Sequence, residues 1–350
     1  MRAAVLEAIE QPFVVRDVPT PSLLPNGVIL RVEANGICRS DWHIWKGDWS
    51  WVGIVPQFPA VIGHEFCGVI EEVGAEVTRW KKGDRVIVPF SGGEGTCEWC
   101  RTGHHNMCDT PVLPGLAFGG GYGRYSSVPY ADVNLVRLPD TVGFVDAASM
   151  GCRFMTSFHG LVDQARVAPG EWVAVHGCGG IGLSAVQIAS ALGARVIAVD
   201  VADDKLAFAK ELGAVATVNA KNDDPASAIA GITKGGAQVS VDALGVAATC
   251  RNSIMSLRKR GRHLQIGLTS AAEKGEIAVP IDMMVLKELS FICSLGMQAP
   301  RFGAMLDMVE KGKLAPGKLV HQRISLEEVS GVLENMERYA NVGVTVIDRY

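Results

Sequence analysis

No block of like charges occurs anywhere along this chain, and its formal net charge is only −4 with a pI of about 6.1. Without a basic stripe or tail it has no electrostatic footprint for nucleic acid or an anionic membrane surface, which excludes both as expected partners. A secretory leader is also missing: Met1-Arg-Ala-Ala-Val-Leu-Glu7 meets an acidic residue before an apolar segment develops. Internal repeats and low-complexity segments are absent. Charged residues make up 20% and apolar residues 48% of the 350 positions, which excludes disorder and predicts one or two well-packed domains. One stretch, Trp172 to Ala194, contains no Lys, Arg, Asp or Glu and is long enough to span a bilayer. Gly177, Gly179, Gly180 and Gly182 cluster inside it, so a buried strand, a tight turn and a buried helix fit it better than a membrane span.

What is present changes character along the chain. Residues 1–150 read as mostly β, with short apolar runs such as Val28–Val32 and Arg85–Val88 punctuated by Pro and Gly. From about 171 to 295, runs at Trp172–His176, Arg195–Val199 and Gln238–Val241 alternate with helical patterns such as Asp203–Leu212. That alternation predicts βαβ units and a parallel sheet. The tail predicts helices near 299–312 and 325–338 and a strand over Gly343–Asp348. Packed back on the first segment, it makes the βαβ region an insertion.

The glycine cluster follows an apolar strand and opens a helical run. Gly177-Cys178-Gly179-Gly180-Ile181-Gly182 is therefore a dinucleotide fingerprint in its required context. Gly177 permits the tight turn, Gly179 lets a pyrophosphate approach the backbone, and Gly182 lets helix and strand pack closely. The positive end of the helix then faces the phosphates. The next strand ends at Asp200, where a carboxylate accepts from an adenosine ribose and repels a 2′-phosphate. Asp203 and Asp204 add negative charge and only Lys205 opposes it. NAD is expected over NADP.

Nine cysteines without a leader suit a reducing cytoplasm and metal binding better than disulfides. Glu94-x₂-Cys97-x₂-Cys100-x₇-Cys108 has the spacing of a compact loop closing around one tetrahedral zinc with no open position. Glu94 is either its fourth ligand or a solvated loop carboxylate with another group in fourth place. Elsewhere Cys38, His64 and Cys152 form a Cys₂His set, the kind that holds a catalytic zinc with one position open. Ser40 and His43 follow Cys38 closely enough to carry a proton from a hydroxyl that zinc acidifies. Cys67, Cys178, Cys250 and Cys293 lack ligand spacing and read as packing residues.

These motifs together, Cys38-Arg-Ser-Asp-Trp-His43, Gly63-His64-Glu65, the 94–108 loop, Gly151-Cys152 and Gly177–Gly182, make the chain resemble the zinc-dependent alcohol dehydrogenases of the medium-chain dehydrogenase/reductase superfamily over essentially its full length. The resemblance implies an α/β protein: a GroES-like β catalytic domain at 1–153 and 296–350, a Rossmann NAD-binding domain with a doubly wound parallel sheet at 154–295, and an active site in the cleft between them. It implies that Glu65 sits behind the metal, that Asp41 orients His64, and that Ser40 and His43 act through the nicotinamide ribose. Arg39 is implied at the pyrophosphate, Thr156, Ile266 and Leu268 around the nicotinamide, and Phe90 on the substrate pocket. Glu94 departs from the family pattern, where many relatives carry a fourth loop cysteine. The segment after the relay is a second departure, because Trp42, Trp45, Trp49 and Trp51 are four of the seven tryptophans. Trp42, Trp49 and Trp51 serve either as a bulky pocket wall or as ordinary core and loop packing.

The expected activity is reversible NAD-linked oxidation of an alcohol to an aldehyde or ketone, on medium-sized apolar or aromatic alcohols, with two zinc ions per chain. Polyol oxidation is the alternative within the fold, although a Trp-rich neighbourhood offers few partners for several hydroxyls. Zinc-free reduction has no need of the Cys₂His set, and a non-catalytic NAD- and zinc-binding protein has no need of a relay. A homo-oligomer, a tetramer rather than a dimer, is expected from the resemblance.

Overall fold

The computed structural model describes all 350 residues and divides into two compact units, Met1–Met155 with Gly296–Tyr350, and Thr156–Leu295.

In the second unit every strand is parallel to its neighbours, in the order Ala214–Asn219, Arg195–Asp200, Trp172–His176, Ala237–Asp242, Leu257–Gln265 and Ser290–Cys293. This is the doubly wound arrangement, whose direction reverses beside Trp172–His176, and ligands bind beyond the carboxyl ends of strands at such a switch point. The Val-Ala-Val centre of that strand is fully buried, as expected for a strand covered on both faces. The uncharged stretch resolves into this strand, a glycine turn and the helix Gly180–Ala191, whose residues Gly182 to Ala189 are buried. No helix of the chain is long and apolar enough to cross a membrane.

In the first unit a largely antiparallel sheet runs Val320–Ser325, Val344–Arg349, Val28–Ile37, Glu65–Val73, Arg85–Ile87 and Val136–Arg137, with Tyr125–Val128 also paired to Val28–Ile37. The tail strand enters it directly, Thr345 opposite Ile37 and Ile347 opposite Asn35. The Val28–Val32 run extends to Ile37 because antiparallel partners flank it on both sides. Two tail helices, Phe302–Glu310 and Val329–Glu337, each follow a single tight turn, Ala299–Arg301 and Leu326–Glu328. Ile37, Trp42, Ile44 and Trp45 pack with Ile324, Val329, Val332, Leu333 and Ile347 in one apolar core. That core anchors the helix Arg39–Lys46, which carries much of the site described below.

Three cysteines expected to pack inside do so, Cys67, Cys178 and Cys250. Cys293 is a correction, because it is exposed. It lies on Ser290–Cys293, the outermost strand of its sheet, where one flank meets no further strand.

Candidate active site and metal centres

Strand register brings the first cluster together. Gly36 faces Glu65 across the antiparallel pair, so Cys38, just past one strand, and His64, just before the other, emerge side by side. Cys152 arrives on the Met150–Phe154 segment, whose Gly151 carbonyl accepts from Phe90 N–H at 3.2 Å. A Cβ at Gly151 would stand 2.9 Å from the Glu65 Cα, so the missing side chain lets this segment approach. The donor atoms of Cys38, His64, Glu65 and Cys152 lie within 4.8 Å of one another, and all four residues are buried.

This donor set fits zinc. Asp41, fully buried, accepts from His64 Nδ1 at 2.9 Å and from the Cys38 N–H at 2.8 Å. His64 Nε2 is buried and has no hydrogen-bond partner, the condition of an imidazole nitrogen prepared for a ligand. The Cys38 and Cys152 sulfurs are 4.0 Å apart. The Cys38 thiol is held well below its usual range by its hydrogen bond with Cys152, against the cost of burial and with help from His64. The same bond and burial push the Cys152 thiol up, and His64 is raised, against burial, by Asp41 and Cys38, so that zinc, which requires thiolates and a neutral imidazole, would displace protons from both on binding.

Glu65 belongs to the same group but is engaged from behind. Arg153, buried beside it, donates through its backbone N–H (3.2 Å) and Nε (2.9 Å), with Nη2 on the second oxygen. Burial raises Glu65 from 4.5 to about 7 despite this guanidinium. Phe90 sets its ring edge-on to His64, with centroids 5.9 Å apart.

The helix Arg39–Lys46 supplies the neighbours. Ser40 Oγ lies 3.8 Å from the Cys38 sulfur, and His43 follows three residues later on the same helix face. His43 Nδ1 is 2.5 Å from Asp48 Oδ2, and its ring stacks on Trp49 at 4.3 Å. The Arg39 guanidinium lies between Trp42 (3.7 Å) and Tyr339 (4.6 Å) and donates to the Met336 carbonyl. In this structure its partners are thus protein groups. Of the tryptophans read as either pocket wall or core packing, Trp42 packs in the apolar core and against Arg39. Trp49 is buried against His43, whereas Trp51 is 44% exposed.

In the 94–108 loop, donor atoms of Glu94, Cys97, Cys100 and Cys108 also lie within 4.8 Å of one another. The Cys97 and Cys108 sulfurs are 3.8 Å apart, and Glu94 Oε1 is 3.9 Å from Cys108 Sγ while accepting from the Cys97 N–H at 2.7 Å. The Thr96 hydroxyl, with backbone N–H groups, holds the Glu94 carboxyl below its usual range, whereas burial pushes Cys100 up to about 12. The donor set of three sulfurs and a carboxylate fits a closed tetrahedral zinc.

In the second unit Gly177 has φ +92°, where a side chain would be strained, and a Cβ on Gly182 would collide with the Gly177 carbonyl. The space a side chain at Gly179 would enter is open, directly before the helix Gly180–Ala191. Asp200 Oδ2 accepts from the Cys178 N–H at 2.6 Å, and Oδ1 accepts from Val201 (2.8 Å) and Ala202 (3.0 Å). It therefore braces the glycine turn from the end of the neighbouring strand. Thr156 Oγ1 is buried without a hydrogen-bond partner, Ile181 accepts from the Ser157 hydroxyl at 3.0 Å, Ile266 is buried and Leu268 is exposed. The open glycine turn, the helix N-terminus and the orphaned hydroxyl fit a dinucleotide. The Lys205 backbone N–H donates to Asp204 Oδ1 at 2.8 Å.

Sequence reasoning passed over Arg153, Asp48 and Tyr339. Asp48 was the findable one, because it follows the helix-ending Gly47 and stands five residues after His43.

Residues 24–140 match the alcohol dehydrogenase GroES-like domain, and residues 180–311 the zinc-binding dehydrogenase domain. The chain is 36% identical over 338 residues to an alcohol dehydrogenase of Geobacillus stearothermophilus, covering 96% of each. It is 35% identical to an NAD-dependent alcohol dehydrogenase of Sulfurisphaera tokodaii, covering 99% of each. Among solved structures, the alcohol dehydrogenase TADH from Thermus sp. ATN1 superposes with a TM-score of 0.91 at 30% identity, covering 100% of both chains.

Proposed function

The chain belongs to the zinc-type alcohol dehydrogenase family and is an enzyme of that class, and from this premise we propose that it oxidises medium-sized apolar or aromatic alcohols reversibly to aldehydes or ketones with NAD. The observation that carries the reading is the buried cluster of Cys38, His64 and Cys152, with an unpartnered imidazole nitrogen, beside a helix that bears Ser40 and His43.

Cys38, His64 and Cys152 hold one zinc, and Glu94, Cys97, Cys100 and Cys108 hold a second, structural one. Bound there, the first zinc supplies a Lewis acid that lowers a hydroxyl's pKa, and NAD supplies the hydride acceptor. The residues of the chain do the rest. Asp41 keeps the proton of His64 on Nδ1, so that Nε2 offers its lone pair. Ser40, beside the Cys38 sulfur, receives the alcohol proton and passes its own towards His43. Phe90, edge-on to His64, lines the substrate side, with Trp49 and Trp51 on the following loop. Glu65 is a carboxylate held in reserve by Arg153, near enough to the ligand atoms to replace one during exchange.

The glycine turn and the Gly180–Ala191 helix take the pyrophosphate, and Thr156 gives its unpartnered hydroxyl to the coenzyme. Arg39, on the helix that follows Cys38, is the cation proposed for the pyrophosphate. Asp200 selects NAD by charge. All nine cysteines are free thiols, which supports a cytoplasmic location. Phe291, on the outermost strand Ser290–Cys293, and Leu295, just past it, are exposed apolar residues, as are Ile281, Val285 and Leu286 on the preceding helix Ile281–Leu286. An apolar strand edge of this kind supports pairing with a second copy of the chain within a homo-oligomer, a tetramer rather than a dimer; sedimentation at monomer mass would remove that part.

The deciding experiment follows NAD reduction by zinc-loaded protein against primary, secondary, benzylic and polyol alcohols, with NADP in parallel. Turnover of apolar or benzylic alcohols with NAD is expected. Polyol turnover alone would replace the substrate class, and silence across the panel with zinc and NAD bound would overturn the catalytic reading.

A further inference from the structure

The chain does not simply leave the helix Arg39–Lys46; it wraps back over it. Gly47 adopts φ +67°, ψ 19°, its N–H bonds to the Ile44 carbonyl at 3.2 Å, and the Asp48 N–H bonds to the His43 carbonyl at 2.9 Å. This helix ending returns the next residues to the preceding turn. Asp48 is thereby delivered to His43, with Oδ2 2.5 Å from Nδ1, and both side chains are only 12% exposed. Trp49 stacks on the imidazole with the planes 10° apart, and Trp42 meets it edge-on at 5.0 Å. The ring is held on a face, at an edge and at one nitrogen.

We propose that Asp48 is a positioning residue that completes the proton relay through His43. A carboxylate accepts only, so the nitrogen facing it must carry a proton. His43 is therefore held as the Nδ1–H tautomer, and Nε2 is left as the acceptor. When a proton reaches Nε2 the ring becomes an imidazolium, and its Nδ1–H stays on the Asp48 carboxylate, which stabilises the new charge. The imidazolium then returns one proton to water. An O–H bond has broken, an N–H bond has formed and broken, a new O–H bond has formed on water, and no oxidation state has changed. This is the division of labour of a His–carboxylate pair, in which the acid orients the ring and does not itself take the proton.

The groups around His43 act on it in opposite directions. Burial pulls its pKa below 6.5, the bond and charge of Asp48 oppose that, Arg39 lowers it and Cys38 raises it. The acids of neighbouring elements, Glu10 and Glu337, are taken up by Lys46 at 2.5 and 3.0 Å. Asp48 is thus the hydrogen-bonded partner that offsets part of what burial takes from the imidazole.

This inference rests on the reading of His43 as the relay base, and the tests separate the two. In the native holoenzyme, ¹⁵N spectra of the imidazoles, with His43 assigned by its loss in His43→Gln, should show Nδ1 protonated. Asp48→Asn should lower kcat for alcohol oxidation at neutral pH about 10- to 100-fold, a fraction of what general base catalysis contributes. It should move the acid limb of the kcat profile to lower pH, leave zinc content and NAD affinity in place, and be partly rescued by Asp48→Glu. If His43→Gln leaves the pH profile untouched, the relay reading itself fails. If His43→Gln alters it and Asp48→Asn does not, the role of Asp48 alone is overturned. Should Asp48→Asn not fold, the tautomer in the native protein decides, and an Nε2–H ring overturns the proposal.

Discussion

Replacing Arg153 by methionine should cost the fold more than most single changes, and the cost should grow with pH. Glu65 is 0% and Arg153 4% exposed, and three donors of the arginine reach the two carboxylate oxygens. Removing one partner of a buried pair leaves an uncompensated charge, typically worth about 3–5 kcal/mol. The sign of the pH effect follows from Glu65. Its folded pKa is about 7 against 4.5 ordinarily, so its contribution to stability is fully present below 4.5 and is lost as pH rises through about 7. That difference amounts to about 3 kcal/mol between the ends of the window. The guanidinium lowers the pKa of Glu65, so Arg153→Met raises it further. Near pH 5 the carboxyl is then protonated and the variant loses little. Above pH 8 it approaches the full penalty. The assay is urea unfolding followed by tryptophan fluorescence, from pH 5 to 9, with metal content measured for each variant; urea is chosen because it does not screen charge. Glu65→Gln combined with Arg153→Met should recover at least about 2 kcal/mol of the single-variant loss at pH 8, because no buried charge remains. A pH-independent loss, a loss below about 1 kcal/mol at pH 8, or a double variant no better than Arg153→Met would refute the reasoning.

Three further outcomes are expected. Ser40→Ala should reduce kcat by roughly 100-fold while zinc content stays constant; equal loss of both would remove Ser40 from the relay. Cys100→Ser should release one zinc per chain and lower the thermal midpoint, with Glu94→Gln intermediate between it and the native protein; metal analysis showing two zincs retained in Cys100→Ser would refute the closed loop site. Asp200→Ser should narrow the preference for NAD over NADP by about 10-fold or more and weaken NAD binding as well, since the carboxylate also braces the Cys178 N–H; unchanged binding of both coenzymes in fluorescence titration would count against it.

The parts legible in the sequence are those with local causes. The strands Trp172–His176 and Arg195–Asp200 stand out because burial on both faces requires continuous apolar runs, and the glycine turn because Gly177 and Gly182 fill conformations and spaces that a side chain cannot. The convergence of Cys38 with His64 depends on Gly36 facing Glu65, a pairing no local pattern encodes. Only residue chemistry and the resemblance point to it. Arg153 was invisible for the same reason, since its partner lies 88 residues away. Ser-Phe-Ile-Cys reads alike at the centre and at the margin of a sheet, hence the misplaced Cys293. Trp42 and Trp49 show that a large aromatic states its volume and not its address. One fills the core and the other lies flat on His43.

Asp41 has a consequence for how this segment tolerates change. One oxygen holds the Cys38 N–H at the start of the helix and the other holds His64 Nδ1. Local folding and ligand orientation therefore draw on the same side chain. An asparagine there offers one acceptor and one donor, so either the helix start or the imidazole would face an N–H group instead of an oxygen. At position 41 the start of a helix and the aim of an imidazole are thus set by one carboxylate, so a loss of either acceptor oxygen reaches the site.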